Sequence, residues 1–204
     1  MLILDHLAVS ALTLAEGTAA VEAALGVPLA PGGQHPHMAT HNRLLSLGPD
    51  LYLEVIAADP AQPRPAWPRW FDLDRFTGPP RLTNWICRCD AITAELALSP
   101  PGTGTPVALA RGDFRWQMAV PATGILPFDN AFPALIQWEG TAHPAPRLPD
   151  HGIRLTRLDI THPDAAALHR ALHTRLHDPR IHITPGPQAL RATFATPQGD
   201  RHIG

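Results

Sequence analysis

The chain has 204 residues, 45% of them hydrophobic and 17% charged, an ordinary globular composition that excludes a disordered or fibrous protein and suffices for one substantial core. A formal net charge of −2, with lysine and arginine scattered rather than clustered, excludes the broad positive field that a nucleic-acid backbone requires. No run approaches the ~20 apolar residues of a membrane span, and the apolar start at Met1 is broken at once by Asp5 and His6 with no basic lead-in, so the expectation is a cytoplasmic protein without a membrane segment.

Residues 2–10 are apolar enough for a buried strand. Thr13 followed by Glu16 is a capping-box signature, opening a helix that carries Val21 and Leu25 on one face and stops at Gly26. Pro31, Gly32 and Gly33 turn the chain toward two more strands, 37–47 and 51–57, parted by Gly48, Pro49 and Asp50. Residues 59–80 hold six prolines and read as a long irregular connection, since proline donates to neither helix nor ladder. The order then repeats: a strand over 82–88, a short helix capped by Asp90, and strands over 106–110, 114–120 and 134–138. It begins a third time with a strand over 153–160, a helix started by Pro163 and Asp164, and strands over 180–184, 189–196 and 200–203.

This repetition predicts one α+β domain spanning 1–204, built from βαβββ units at about 1–58, 81–140 and 152–204 that form a curved, cup-like mixed sheet with helices packed outside. Two units would close the cup and the third extend or back it. Which two pair is open at this level.

Several side chains could carry chemistry. His6 on the first strand and Glu54 on the last strand of the same unit place an imidazole and a carboxylate on interior-leaning strands. They could begin a metal site, or be a hydrogen-bonded core histidine and a paired structural carboxylate. His35, His37 and His41 fall on one face of any strand through them, as ligands or as a solvated loop rim. His169, His173 and His177 recur every four residues, but the adjacent Leu168, Leu172 and Leu176 form the buried stripe and turn the histidines toward solvent. Arg88 and Arg115 sit in strand-like runs where an inward guanidinium needs an internal acid or an anionic ligand. Trp85, Trp116 and Trp138 are core packing or cup wall. Cys87 and Cys89, two apart on a strand, read as reduced, buried thiols.

The strings Leu4-Asp5-His6-Leu7, Gly32-Gly33-Gln34-His35, Thr40-His41-Asn42-Arg43-Leu44 and Tyr52-Leu53-Glu54, continued by Asn84 to Asp90, Phe114-Arg115-Trp116, Leu126-Pro127-Phe128, Ile136-Gln137-Trp138 and Thr196-Pro197-Gln198-Gly199, together resemble the glyoxalase-like domain family of the vicinal oxygen chelate superfamily. The resemblance implies a divalent metal (Zn, Mn, Ni or Fe) held by histidine from a first strand and glutamate from a fourth, twice over by pseudo-symmetry. His6 and Glu54 match one half; Asn84 and Gln137 stand at the other and Arg157 and His202 in the third unit, neither repeating His plus Glu, so that Gln137, His202 or one of His35, His37 and His41 would complete a set begun by His6 and Glu54.

On that resemblance the expected activity is lyase or isomerase chemistry on a small vicinal-oxygen substrate through a stabilised enediolate, with Glu54 and His41 moving the proton and Arg115, Trp85, Trp116 and Asn42 contacting the substrate. The alternative on the same scaffold is a non-catalytic protein that binds or sequesters a small molecule. A small-molecule substrate is the expected partner, with no nucleic acid and no membrane, and a homodimer is in keeping with the superfamily.

Overall fold

The computed structural model describes all residues 1–204. In chain order the elements are β1 (Ile3–Ser10), α1 (Leu14–Leu25), β2 (Ala30–His35), β3 (Thr40–Ser46), β4 (Tyr52–Ala58), β5 (Arg81–Arg88), α2 (Ile92–Ala97), β6 (Thr105–Arg111), β7 (Phe114–Val120), β8 (Ala134–Trp138), β9 (Arg154–His162), α3 (Ala165–Leu172), β10 (Ile181–Pro185), β11 (Ala189–Thr196) and β12 (Gly199–Ile203). The fold is α+β. No helix is long and apolar enough to cross a membrane.

The first helix forms where its caps dictate. Thr13 Oγ1 accepts from the Glu16 amide at 3.2 Å, its hydroxyl donates to Glu16 Oε2 at 3.0 Å, and Gly26 ends the helix at φ 74°. Val21 and Leu25, one turn apart, face inward, and the unit closes with β4 parallel to β1.

The first two units make one eight-stranded sheet in the order β2-β3-β4-β1-β5-β8-β7-β6. Its two halves mirror each other: β1 runs parallel to β4, β5 parallel to β8, and β1 and β5 meet antiparallel at the centre. The sheet curls until its edges approach, and a Cβ on Gly33 of β2 would stand 2.4 Å from Arg111 Cδ of β6. The result is a cup. Residues 59–80 run as an irregular connection, and within them Trp70 and Phe71 lodge in the cup against Met38, Ile56, Ile86, Trp116 and Met118.

The third unit departs from the expected repeat. Its elements follow the same order along the chain, but they form a separate four-stranded sheet ordered β10-β9-β11-β12, in which β9 lies between a parallel β10 and an antiparallel β11. Leu155, Leu158, Ile160, Leu190 and Phe194 of this sheet join Leu7, Val9, Trp85 and Cys87 from the back of the large sheet in one core with Val21 and Leu25 of α1. The third unit therefore backs the cup. Each large side chain lost from this core would cost about 3–5 kcal/mol.

Strand phase decides what faces the cup. Leu4 and His6, two apart, would share a face in a regular strand, yet Leu4 lies in the back core with its partner Cys87 while His6, opposite Ile86, faces the cup. Between them Asp5 has no partner on β5: it is a β-bulge that brings two successive polar side chains to the cup side.

Candidate active site

A small hollow of about 30 Å³ lies on the cup floor, lined by His6, His35, Asn42, Tyr52, Glu54, Trp70, Phe71, Arg111, Trp116, Met118, Ile136 and Trp138. At its centre His6 Nε2 stands 3.6 Å from Glu54 Oε1, and both side chains are buried. Parallel pairing sets this contact, since β1 and β4 align His6 with Tyr52 and Ala8 with Glu54, all on the concave face. The Tyr52 ring stacks on the imidazole at 4.4 Å and 14°.

Hydrogen bonds fix both groups. His6 Nδ1 donates to Asp5 Oδ1 at 2.6 Å, while Asp5 Oδ2 accepts from Trp138 Nε1 at 3.0 Å and His143 Nε2 at 3.1 Å. Asn42 Nδ2 donates to Glu54 Oε2 at 2.8 Å. Burial works to lower the His6 pKa, but the hydrogen bonds and negative charges of Asp5 and Glu54 outweigh it and raise the pKa to about 9, leaving the ring an imidazolium at neutral pH. Burial works to raise Glu54, and the His6 hydrogen bond and charge reverse this, holding the carboxylate below its ordinary range. His35, by contrast, is pushed down by burial to about 4 and stays neutral.

Arg111 reaches the hollow from the end of β6. Its Nη1 donates to Asn42 Oδ1 at 3.2 Å and reaches His35 Nε2 at 3.5 Å. Space for it comes from the glycine pair on the facing edge: a Cβ on Gly32 would fall 2.2 Å from Asn42 Oδ1, and one on Gly33 would strike Arg111 itself. Sequence reasoning missed Arg111, Asp5 and His143; only the glycine pair hinted that a bulky group approaches the backbone at 32 and 33.

The other expected site residues divide by strand phase. His6, Glu54, Asn42 and Trp116 meet in the hollow. His41, one residue from Asn42, lies on the opposite face of β3, 3.9 Å from Asp59. The alignment of His35, His37 and His41 fails because a 3₁₀ turn at Pro36–Met38 interrupts the strand; His35 faces the hollow and His37 stacks on exposed Trp67 at 4.6 Å. Trp85 faces the back core and donates to Ala131 O at 2.9 Å. Arg115 is exposed and bonds the turn carbonyls of Gly112 and Phe114. Gln137 accepts from the Ile92 amide at 2.8 Å, capping α2 rather than facing the cup.

The metal expectation is tested by the donor set. The residue beside Ala8, two after His6, is Glu54; the residue beside Ile86, two after Asn84, is Ala134, which offers no donor. Asn84 is buried with neither amide atom hydrogen-bonded, but no cluster of three histidine, cysteine, aspartate or glutamate side chains suited to a metal exists. A catalytic metal usually takes about three protein ligands, and the guanidinium of Arg111 in the same hollow opposes a dication. His6 and Glu54, with the His35 ring turned to Arg111 and that guanidinium beside them, do not fit a chelated divalent metal.

The family model for the glyoxalase-like domain matches residues 4–176. No protein of curated function matches the sequence. Among solved structures, a hypothetical protein from Staphylococcus aureus aligns with a TM-score of 0.61 at 12% identity, over 92% of this chain and 88% of that one. Methylmalonyl-CoA epimerase from Mycobacterium tuberculosis aligns with a TM-score of 0.44 at 17% identity, over 68% of this chain and 88% of that one. These are likenesses of fold.

Proposed function

Because this chain belongs to the glyoxalase-like domain family of the vicinal oxygen chelate superfamily, we propose that it is an enzyme that moves a proton on the carbon next to a carbonyl group of a small molecule held in the cup. The observation that carries this reading is the His6–Glu54 pair, 3.6 Å apart on the floor of a hollow and backed by Asp5.

The chemistry follows from the charges. A carbonyl oxygen of the substrate that accepts the Nε2–H of the His6 imidazolium places the carbon next to that carbonyl beside Glu54. Glu54 takes a proton from that carbon, the freed pair forms a double bond to the carbonyl carbon, and the carbonyl π pair moves onto the oxygen, where the imidazolium stabilises it. Glu54 alone is a weak base, because the imidazolium facing it favours its charged form. A substrate oxygen that draws the N–H away removes that stabilisation and strengthens the base when it is needed. Asp5 keeps Nδ1 occupied, so that Nε2 is the nitrogen presented.

The test is carbon-bound hydrogen exchange. Hydroxyacetone, glycolaldehyde and glycolate incubated with the protein in D₂O should exchange the hydrogen next to the oxygenated carbon in at least one case, and Glu54→Gln should lower that rate by about 100-fold or more. Exchange by Glu54→Gln at the wild-type rate would overturn the assignment. No exchange with any probe would favour a binding or sequestering protein, a reading supported by the aromatic walls and by Trp70 and Phe71 packed in the cup.

A further inference from the structure

Most arginines whose guanidinium groups are drawn toward the protein have a carboxylate partner: Arg69 with Asp74, Arg88 with Asp5, Arg175 with Glu95 and Arg180 with Asp178. Arg111 does not. No carboxylate oxygen lies within 4.0 Å of it, and its neighbours are the Asn42 amide oxygen at 3.2 Å, the neutral His35 ring at 3.5 Å and the Phe114 ring at 5.6 Å. A guanidinium is always charged, and one drawn from water without a counter-charge is costly. Its fork is rigid, planar and matched to a carboxylate. Trp70 lines the same hollow, and its Nε1 is buried and has no acceptor, although buried indole N–H groups normally find one.

A guanidinium without a counter-charge and a buried indole N–H without an acceptor, both from residues of one hollow, call for an acceptor from outside the chain. The hollow of 30 Å³ has room for about two water-sized groups, which suits the two oxygens of a carboxylate better than the four of a phosphate. We propose that Arg111 and the indole N–H of Trp70 form the anion-recognising pole of the hollow, making the substrate a small carboxylate whose reacting carbon lies toward Glu54. This rests on the proton-transfer reading and adds the substrate class to it. Asn42 ties the two poles together, since one end of its amide holds Glu54 and the other Arg111. The carbon chain of the acid requires Trp70 and Phe71 to yield, at a segment where Phe71 (φ 57°) and Asp72 (φ 55°) hold left-handed backbone conformations.

Glycolate titrated into the protein, followed through the tryptophans of the hollow and by calorimetry, should bind saturably and about tenfold or more tightly than its uncharged amide, glycolamide, with inorganic phosphate binding more weakly than glycolate. Arg111→Met should lower glycolate affinity by about tenfold or more, the loss of a charge-assisted hydrogen bond. Trp70→Phe, which keeps an aromatic ring though a smaller one and removes the N–H, should lower it several-fold, and serves if Arg111→Met fails to fold. Exposed Arg115→Met should bind as wild type. Equal binding of glycolamide and glycolate, stronger binding of phosphate, wild-type affinity in folded Arg111→Met or in Trp70→Phe, or no binding of glycolate to the wild type would each overturn the proposal. Glycolate binding that depends on Arg111 with no hydrogen exchange on any probe would overturn the proton-transfer reading alone.

Discussion

Gly33 and Arg111 come from opposite edges of the large sheet, yet a Cβ on the first would stand 2.4 Å from Cδ of the second and 3.2 Å from its Nε. Gly33→Ala should therefore displace the arginine, with a cost of about 1–3 kcal/mol for overpacking. Urea denaturation would measure it. The double variant Gly33→Ala with Arg111→Ala should recover most of that loss relative to Arg111→Ala alone, a coupling expected only of groups in contact.

The third unit is fastened to the second by one buried ion pair. Arg175, just past α3, places Nη1 3.0 Å from Glu95 Oε2 and 3.2 Å from Glu95 O on α2. Removing one partner leaves the other charge drawn from water, so Arg175→Met should destabilise the protein by about 3–5 kcal/mol. A denaturation midpoint within error of wild type would contradict this.

The cysteines should be inert in the native state. Burial raises the Cys89 thiol to about 11 and Cys87 well above its ordinary value, so the reactive thiolate is scarce at neutral pH. Neither thiol should react with a disulfide reagent until denaturant is added. Rapid labelling of folded protein at pH 7.5 would be inconsistent with the packing of Cys87 in the back core.

His35 makes stability depend on pH in a defined direction. Its folded pKa, pushed down by burial to about 4, lies below its ordinary 6.5, so the unfolded chain binds this proton first. The stability gained by keeping the ring neutral is complete above about pH 6.5 and is lost as pH falls through about 4, on the order of 3 kcal/mol in all. His35→Gln should show a shallower decline in unfolding free energy over that interval than wild type.

How much of this was legible in the sequence depended on whether the deciding signal was local. Helix α1 was readable at both ends, because Thr13, Glu16 and Gly26 act on their own backbone. Strand β2 was not: Pro31, Gly32 and Gly33 read as a turn, but on an edge strand the missing proline N–H is harmless and the glycines make room for Asn42 and Arg111. The nearness of His6 and Glu54 was legible because strand alternation and unit order bring the two side chains to one face. His41 and Asn42 were not separated, since a one-residue change of phase moves a side chain across the sheet. The third unit copied the element order and not the pairing, because pairing is fixed by its packing on the back of β1 and β5 rather than by any segment of its own.

An ordinary strand hands every second side chain to a given side. The unpaired residue between Leu4 and His6 breaks that rule, so the imidazole arrives with its acceptor already attached. A chain one residue shorter at this point would still aim His6 inward but would lose the group that chooses which ring nitrogen looks at Glu54. Insertion and deletion, more than substitution, are thus the changes to which the character of the cup is most exposed.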